Sequence, residues 1–288
     1  MNHTTCLICK SNALQPLAAY QKYYLCQCTS CSFVFTQKIP TPEELVTFYD
    51  GYGRNDYLSP ITIKRYHEIL DKMEPFRKSN RLLDVGCGIG YFLEVAKERG
   101  WEVYGTEYTD LAVEICRKKE ITMQQGPLSA AQFDLESFDV ITSFEVIEHI
   151  NNPLEEVALF HGYLRKGGLM YVTTPNFNSL LRYRLKSNYD VICYPEHLSY
   201  YTPKTLNQVF TQHGFTKQKI ETTGISLSRL KNGTSGVSQQ VISPTSTDEK
   251  LRISMEEKWH LQVAKKVANH TLTFFGVGDA LKGWFIKR

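Results

Sequence analysis

Three groups of residues in this 288-residue chain have types and spacing suited to chemistry. The first is Asp84-Val85-Gly86-Cys87-Gly88-Ile89-Gly90, with a further acid at Glu107. Glycines let backbone approach a ligand closely, and an acid ending the next strand can accept hydrogen bonds from both ribose hydroxyls of an adenosine-bearing cofactor. The spacing is G-x-G-x-G rather than the G-x-G-x-x-G of dinucleotide sites, which argues against a nicotinamide oxidoreductase. No Lys-Ser or Lys-Thr follows the glycines, so a triphosphate loop is excluded as well. The second group is Phe144-Glu145-Val146-Ile147-Glu148-His149. As a helical turn it would place Glu145, Glu148 and His149 on one face. Such a face can hold a hard or borderline divalent cation such as magnesium, or it can present His149 as a general base in a wet cleft. His197, in Tyr194-Pro195-Glu196-His197-Leu198, is available as a further ligand or second base. The third group is Cys6-x-x-Cys9 and Cys28-x-x-Cys31, with eighteen residues between the pairs. Four soft thiolates from two tight turns form the closed shell of a structural zinc site. Cys26 could replace Cys28 only by giving up the two-residue spacer, and a redox Cys-x-x-Cys pair is the rival reading.

These groups need elements to position them. Residues 1–40 read as a zinc ribbon with too few apolar residues for a private core, so metal would supply most of its folding energy. Serine replacement of Cys6 and Cys9 is therefore expected to loosen only these forty residues. Residues 41–78 read as a helical linker or cap. Thr41 is the expected N-cap and Pro42 the first helical residue, and the tyrosine-rich stretch including Tyr52, Tyr57 and Tyr66 either packs on the main domain, the favoured reading, or covers a substrate cleft. From Arg81 onward strands and helices alternate. Strands are predicted at Arg81–Val85, Glu102–Glu107, 121–125, Phe138–Phe144 and 168–173, with helices at 91–99, Asp110–Lys118 and 153–164. That order predicts an α/β, Rossmann-like, mostly parallel sheet covered on both faces. A helix at 206–213, a strand at 215–221 and a final alternating strand at Ala280–Lys287 complete it. An excursion at 225–275 divides into a Ser/Thr/Gly-rich loop at 231–248 and a helical segment at 249–275, suited to a lid or a dimer interface. His67, His161 and His213 read as structural or solvent-facing.

The glycine turn with its preceding Asp84 and following Glu107 resembles motif I of the class I S-adenosylmethionine-dependent methyltransferases. That resemblance implies a seven-stranded sheet with an antiparallel last strand. Gly86, Gly88 and Gly90 would wrap the methionine part of the cofactor, with Asp84 near its amino group, Glu107 on its ribose and Phe144 beside it. The turn Gln125-Gly126-Pro127-Leu128 departs from the family's usual adenine-side acid or amide. The Glu-x-x-Glu-His block is similar to that of ubiquinone-biosynthesis O-methyltransferases. It also resembles small-RNA 2′-O-methyltransferases, in which two Glu and two His hold magnesium. The ribbon, Pro40-Thr41-Pro42-Glu43-Glu44-Leu45, Thr202-Pro203-Lys204-Thr205-Leu206 and Gly276-x-Gly278-Asp279 recur in bacterial methyltransferases of surface-polysaccharide and unusual-sugar biosynthesis. The resemblance thus implies O-methylation of a sugar or small hydroxylated metabolite, with His149, His197 or a cation on Glu145 and Glu148 activating the hydroxyl. The alternatives are metal-assisted RNA 2′-O-methylation and a zinc-ribbon adaptor with an inactive core.

Bulk composition narrows the partners. Lys and Arg number 33 against 30 Asp and Glu, so no broad basic surface for nucleic acid is implied. No apolar run reaches the roughly 18 residues of a spanning helix, and the start lacks a signal-peptide pattern. The expectation is a cytoplasmic protein, with its eight cysteines serving metal or remaining thiols. A homodimer is compatible with the helical excursion.

Overall fold

Successive residues of each central strand send side chains to opposite faces, and that alternation builds two hydrophobic layers from one sheet. In the computed structural model, Leu83, Ile141 and Met170 enter one core with Val157, Phe160, Leu206 and Phe210. Their neighbours Leu82, Val140 and Leu169 enter the other with Leu70, Met73, Phe92 and Val113. The structure describes residues 1–49, 57–226, 229–230, 249, 252–254, 256 and 258–288. The loop expected at 231–248, Tyr52 and part of the helical segment expected from 249 lie outside the described residues.

In chain order the elements begin with β1 (Leu14–Pro16), β2 (Leu25–Cys28), β3 (Val34–Thr36), α1 (Pro42–Tyr49) and α2 (Pro60–Met73). Next come β4 (Arg81–Val85), α3 (Tyr91–Glu98), β5 (Glu102–Glu107), α4 (Asp110–Lys118), β6 (Thr122–Gln125) and β7 (Phe138–Phe144). The remainder is α5 (Pro153–Tyr163), β8 (Leu164–Pro175), α6 (Leu180–Leu185), β9 (Ser199–Tyr200), α7 (Pro203–Thr211), β10 (Phe215–Thr223), α8 (Trp259–Phe275) and β11 (Ala280–Lys287). The expected caps are present: Thr41 Oγ1 accepts from the Glu44 amide while Glu44 Oε2 accepts from the Thr41 amide. Thr202 and Thr205 cap α7 in the same reciprocal way.

The large sheet has the order β6-β5-β4-β7-β8-β11-β10. Strands β4 to β8 pair in parallel, and β11 runs antiparallel to both of its neighbours. This is the mostly parallel, seven-stranded Rossmann-like sheet that the alternation and the family resemblance imply. The chain leaves β4 toward β5 and β6, then returns to β7 on the other side. The carboxyl ends of β4 and β7 therefore open at the switch point where ligands bind in such sheets. Among the described residues no helix is long and apolar enough to cross a membrane.

A second sheet of order β1-β2-β3-β9 carries the cysteine pairs. Its last strand comes from far along the chain: Val34 pairs with Tyr200 and Phe35 with Ser199. Leu7, Ile8, Phe33 and Phe35 are buried in the same core as Leu83 and Phe160, so this unit borrows apolar burial from the large sheet. Helix α2 is pinned by Leu70 and Met73, both fully buried, and Tyr66 packs edge-on against Phe92 with ring centroids 5.3 Å apart. Tyr66 thus packs on the main domain, against α3.

Candidate active site

The turn after β4 is built by backbone before any ligand is considered. Amides of Gly86 and Cys87 donate to the Thr106 carbonyl at 3.0 and 3.1 Å, tying the turn to β5. Gly86, Gly88 and Gly90 have φ of 71°, 55° and 78°, a region costly for residues with a Cβ. Two of them serve different purposes. A Cβ on Gly86 would meet Val146 Cγ2 at 2.5 Å, so its smallness lets the segment after β7 close on the turn. A Cβ on Gly88 would point into open space, leaving a concave face of bare backbone where an extended ligand fits. Glu107 is poised beside it: Oε2 accepts the Gly88 amide at 3.0 Å and Oε1 accepts the Tyr108 amide at 2.7 Å. Gly126, after β6, likewise has open space where a Cβ would stand. Asp84 is buried beneath the turn and accepts a 2.7 Å hydrogen bond from Thr142 Oγ1. Burial raises its carboxyl to about 7 against the pull of that bond. Phe144 lies in a ring cluster with Phe92 at 4.9 Å and Tyr171 at 5.5 Å, walling the floor of the cleft.

The segment after β7 differs from the expected helical turn. Glu145 has φ of 53° and the following residues form a short 3-10 turn, Ile147–His149. A left-handed residue breaks the helical register before Glu148, so the i, i+3, i+4 face does not form. Ligand atoms of Glu148, His149 and His197 lie within 4.8 Å of one another, and Glu145 is outside that group. The Glu145 amide bonds Thr173 instead, to the carbonyl at 3.1 Å and to Oγ1 at 3.2 Å. Glu145 itself is in contact with solvent, within a recess crowded enough to raise its carboxyl above the ordinary range.

Both imidazoles are held by backbone. His149 Nδ1 sits 2.8 Å from the Glu196 carbonyl and His197 Nδ1 2.6 Å from the Val191 carbonyl. A carbonyl only accepts, so each Nδ1 carries the proton and each Nε2 keeps a lone pair. The rings stand 4.9 Å apart, nearly perpendicular. Burial and the neighbouring His197 hold His149 down to about 4, and burial lowers His197 as well. Glu148 is buried, and its Oε2 has no hydrogen-bond partner. Burial and then Glu145 push that carboxyl well above its usual range. Two neutral-ring lone pairs beside an unpartnered Glu148 carboxyl oxygen can accept a proton from a hydroxyl, or, once the carboxyl gives up its proton, hold a divalent cation.

Neither Cys193 nor Glu196 carries a signal along the sequence. Cys193 Sγ donates to Glu196 Oε2 at 3.0 Å, and both group with His197. Only a fold that brings the loop before β9 against the end of β7 reveals them. Asn176, which closes the Thr173-Thr174-Pro175-Asn176 segment that resembles the family, is buried after β8, and its Nδ2 donates to the carbonyls of Gly276 and Gly278 at 3.0 and 2.7 Å.

In the smaller sheet Cys6, Cys9, Cys28 and Cys31 bring four sulfurs within 4.8 Å. Cys6–Cys31 and Cys9–Cys28 sulfurs are 3.5 and 3.4 Å apart, near the ~3.8 Å edge of a tetrahedral thiolate shell. The two knuckles match: Lys10 and Ser32, each following the second cysteine, have φ of 58° and 72° and donate to the carbonyls of Cys6 and Cys28. Cys26 stands apart, its thiol directed to the Phe35 carbonyl, so Cys28 completes the cluster.

A family model described as a methyltransferase domain matches residues 57–220, more than half of the chain. The chain belongs to the methyltransferase-domain family. Its sheet, turn and topology are those of the class I, S-adenosylmethionine-dependent methyltransferases. A ubiquinone biosynthesis O-methyltransferase from Roseobacter denitrificans is 29% identical over 157 residues, covering 52% of this chain and 60% of that protein. A SAM-dependent methyltransferase from Archaeoglobus fulgidus superposes with a TM-score of 0.54 at 19% identity, covering 84% of this chain and 99% of that one. Phosphoethanolamine N-methyltransferase 2 from Haemonchus contortus, solved with S-adenosyl-L-methionine, gives 0.56 at 18% identity, covering 88% of this chain and 61% of that one. These structural likenesses establish the methyltransferase fold. The sequence match spans only about three-fifths of the Roseobacter relative.

Proposed function

We propose that the protein moves the methyl group of S-adenosylmethionine to a hydroxyl of a small acceptor, a sugar or related hydroxylated metabolite. The observation that carries this reading is the pair of Nδ1-locked, neutral imidazoles, His149 in the segment after β7 whose Val146 closes on Gly86, and His197 brought against it from the loop before β9. When bound, the cofactor supplies a methyl group on a sulfonium centre, open to in-line displacement. Gly88 and Gly126 would leave room for it, Glu107 would accept from its ribose hydroxyls, and Asp84 would help hold its amino group. His149 Nε2, with His197 beside it, takes the hydroxyl proton as the acceptor oxygen attacks. Holding that oxygen in line with the methyl is the larger task of the cleft. The name of the Roseobacter relative, an O-methyltransferase, accords with a hydroxyl acceptor.

The orphaned Glu148 oxygen favours a variant of this reading, in which a divalent cation on Glu148, His149 and His197 polarises the hydroxyl. That set is one Glu short of the two Glu and two His that the resemblance to RNA 2′-O-methyltransferases implies, and a near-balanced charge offers RNA little phosphate attraction. The four-cysteine cluster fits a structural zinc ion, closed to substrate. In this reading residues 1–40 are a metal-held unit, 41–78 a cap, and 79–288 the methyltransferase domain.

Calorimetry with S-adenosylmethionine and NAD(H), with metal content measured on the same sample, is the first test. Binding of the former alone is expected, followed by transfer of labelled methyl to a sugar hydroxyl. Label appearing in RNA instead would replace the acceptor assignment, and no cofactor binding would overturn the reading. Glu107→Ala is expected to weaken S-adenosylmethionine about 30-fold or more, since two charge-assisted hydrogen bonds are lost. Affinity within twofold of the parent would remove Glu107 from the ribose.

A further inference from the structure

At the carboxyl edge of the large sheet Phe144 pairs with Thr173, and Thr173 with Lys282, so the three side chains form one row on one face. Further back on that face the Tyr171 and Trp284 rings lie 4.2 Å apart. Helix α2 covers it. Tyr66 stands over Phe144 with ring centroids 6.3 Å apart, and Lys72 Nζ lies 5.6 Å from the centre of the Trp284 ring. Arg65 precedes Lys72 by two helical turns and so shares its face of α2, toward the row that holds Lys282. Half-buried Lys282 and solvent-accessible Arg65 thus share a recess, and among the described residues neither makes an ion pair or a hydrogen bond. Burial and then Arg65 draw the Lys282 ammonium below its usual range, and burial and then Arg252 do the same to the Arg65 guanidinium.

The acids within electrostatic reach are engaged elsewhere or stand off. Glu221, opposite Lys282 on β10, pairs with Lys219 at 2.8 Å. Glu249 pairs with Arg252, and Glu256 with Lys64 and Lys265. Glu68 on α2 and Glu145 after Phe144 stay beyond ion-pair distance of both cations. Lys72 adds a third positive charge. Like charges held close with no counter-charge in contact carry a cost that a bound anion removes. The cofactor's own carboxylate is out of place for this. With its amino group beside Asp84 it would lie near β4, whereas Lys282 stands on β11, three strand spacings or about 14 Å across the sheet. The recess borders the acceptor side instead: Lys282 and Arg229 both act on the Glu145 carboxyl, and Arg229 acts on His197.

We propose that Lys282 and Arg65 form an oxyanion subsite for the acceptor, taking a phosphate or carboxylate carried by the molecule that receives the methyl group. The inference deepens the acceptor assignment and rests on it. The test is calorimetry on the full chain saturated with S-adenosylhomocysteine, which fills the cofactor's own carboxylate position. Inorganic phosphate, glucose 1-phosphate, glucuronate and glucose are titrated in turn. At least one of the anionic sugars is expected to bind about tenfold or more tighter than glucose, the better of the two naming phosphate or carboxylate. Lys282→Met is expected to weaken that anion and inorganic phosphate about tenfold, with circular dichroism unchanged and S-adenosylhomocysteine affinity within about twofold. Lys282→Arg should restore binding, and Arg65→Gln, at a solvent-accessible position, should weaken it as Lys282→Met does. The proposal alone is overturned if the loaded protein treats anions and glucose alike, if phosphate binds only when S-adenosylhomocysteine is absent, or if Lys282→Met weakens S-adenosylhomocysteine instead. A parent protein that binds no S-adenosylhomocysteine would overturn the underlying methyl-transfer reading, and this subsite with it.

Discussion

His149→Ala is expected to lower turnover of a hydroxyl acceptor by about 10²–10⁴-fold while S-adenosylmethionine binding stays within twofold. The split follows from position. His149 lies past the segment that packs on Gly86, and its Nδ1 is spent on the Glu196 carbonyl, so only Nε2 is left to the reaction. His197→Ala should cost a comparable factor, because its ring stands 4.9 Å away and its Nδ1 is likewise occupied. The pH profile adds a signed expectation. His149, held at about 4, stays neutral from pH 8 down to about 5, and His197 is lowered in the same direction. The two rings themselves should therefore add no loss on the acid side near 6.5, the ordinary imidazole value. An acid limb there that persists when Asp84, raised to about 7, is replaced by Asn, or an alanine variant with unchanged turnover, would remove these rings from proton transfer. Chelator treatment separates the two forms of the proposal. Loss of turnover restored by a divalent cation assigns the site to metal, and indifference assigns it to the imidazoles alone.

The second large effect lies at the cysteines. Serine replacement of Cys6 and Cys9 together is expected to reduce bound zinc from one per chain to none, and to lower the melting temperature by about 10 °C or more. Loosening confined to the first forty residues is the expectation from sequence alone, and the structure argues for a wider effect. Strand β3 pairs with Ser199 and Tyr200, the Thr36 amide donates to the Leu198 carbonyl at 2.8 Å, and Thr36 Oγ1 donates to the His197 carbonyl at 3.3 Å. The unit that the cysteines hold is thus the lattice on which His197 is hung. Turnover should fall along with zinc, and hydrogen exchange should quicken at 197–201 as well as at 1–40. Zinc-free parent protein with an intact N-terminal sheet would end the structural-metal reading.

Much of this was legible along the chain because the signals are local. The G-x-G-x-G turn needs left-handed backbone within a few residues, Glu107 ends the very next strand, and each Cys-x-x-Cys pair closes on its own knuckle. The alternation of apolar strands with helices likewise implied the parallel sheet, since a buried strand and its crossover each carry their own periodicity. Other features depended on contacts between distant segments. That β9 extends the ribbon sheet, that Cys193 and Glu196 join His197, and that Glu148 is left with an orphan oxygen are long-range pairings with no spacing to read. Glu145 marks the boundary. Its sequence spacing matched a helical face, but closure of Val146 on Gly86 and the Thr173 bonds accompany a left-handed backbone there, which takes it out of the cluster. The chain by itself determined the cofactor class and the two cysteine knuckles, because near neighbours along the chain can build both. Which acids and imidazoles converge on the acceptor side was decided only by tertiary packing, because their distances are set by how the loop before β9 closes against the end of β7.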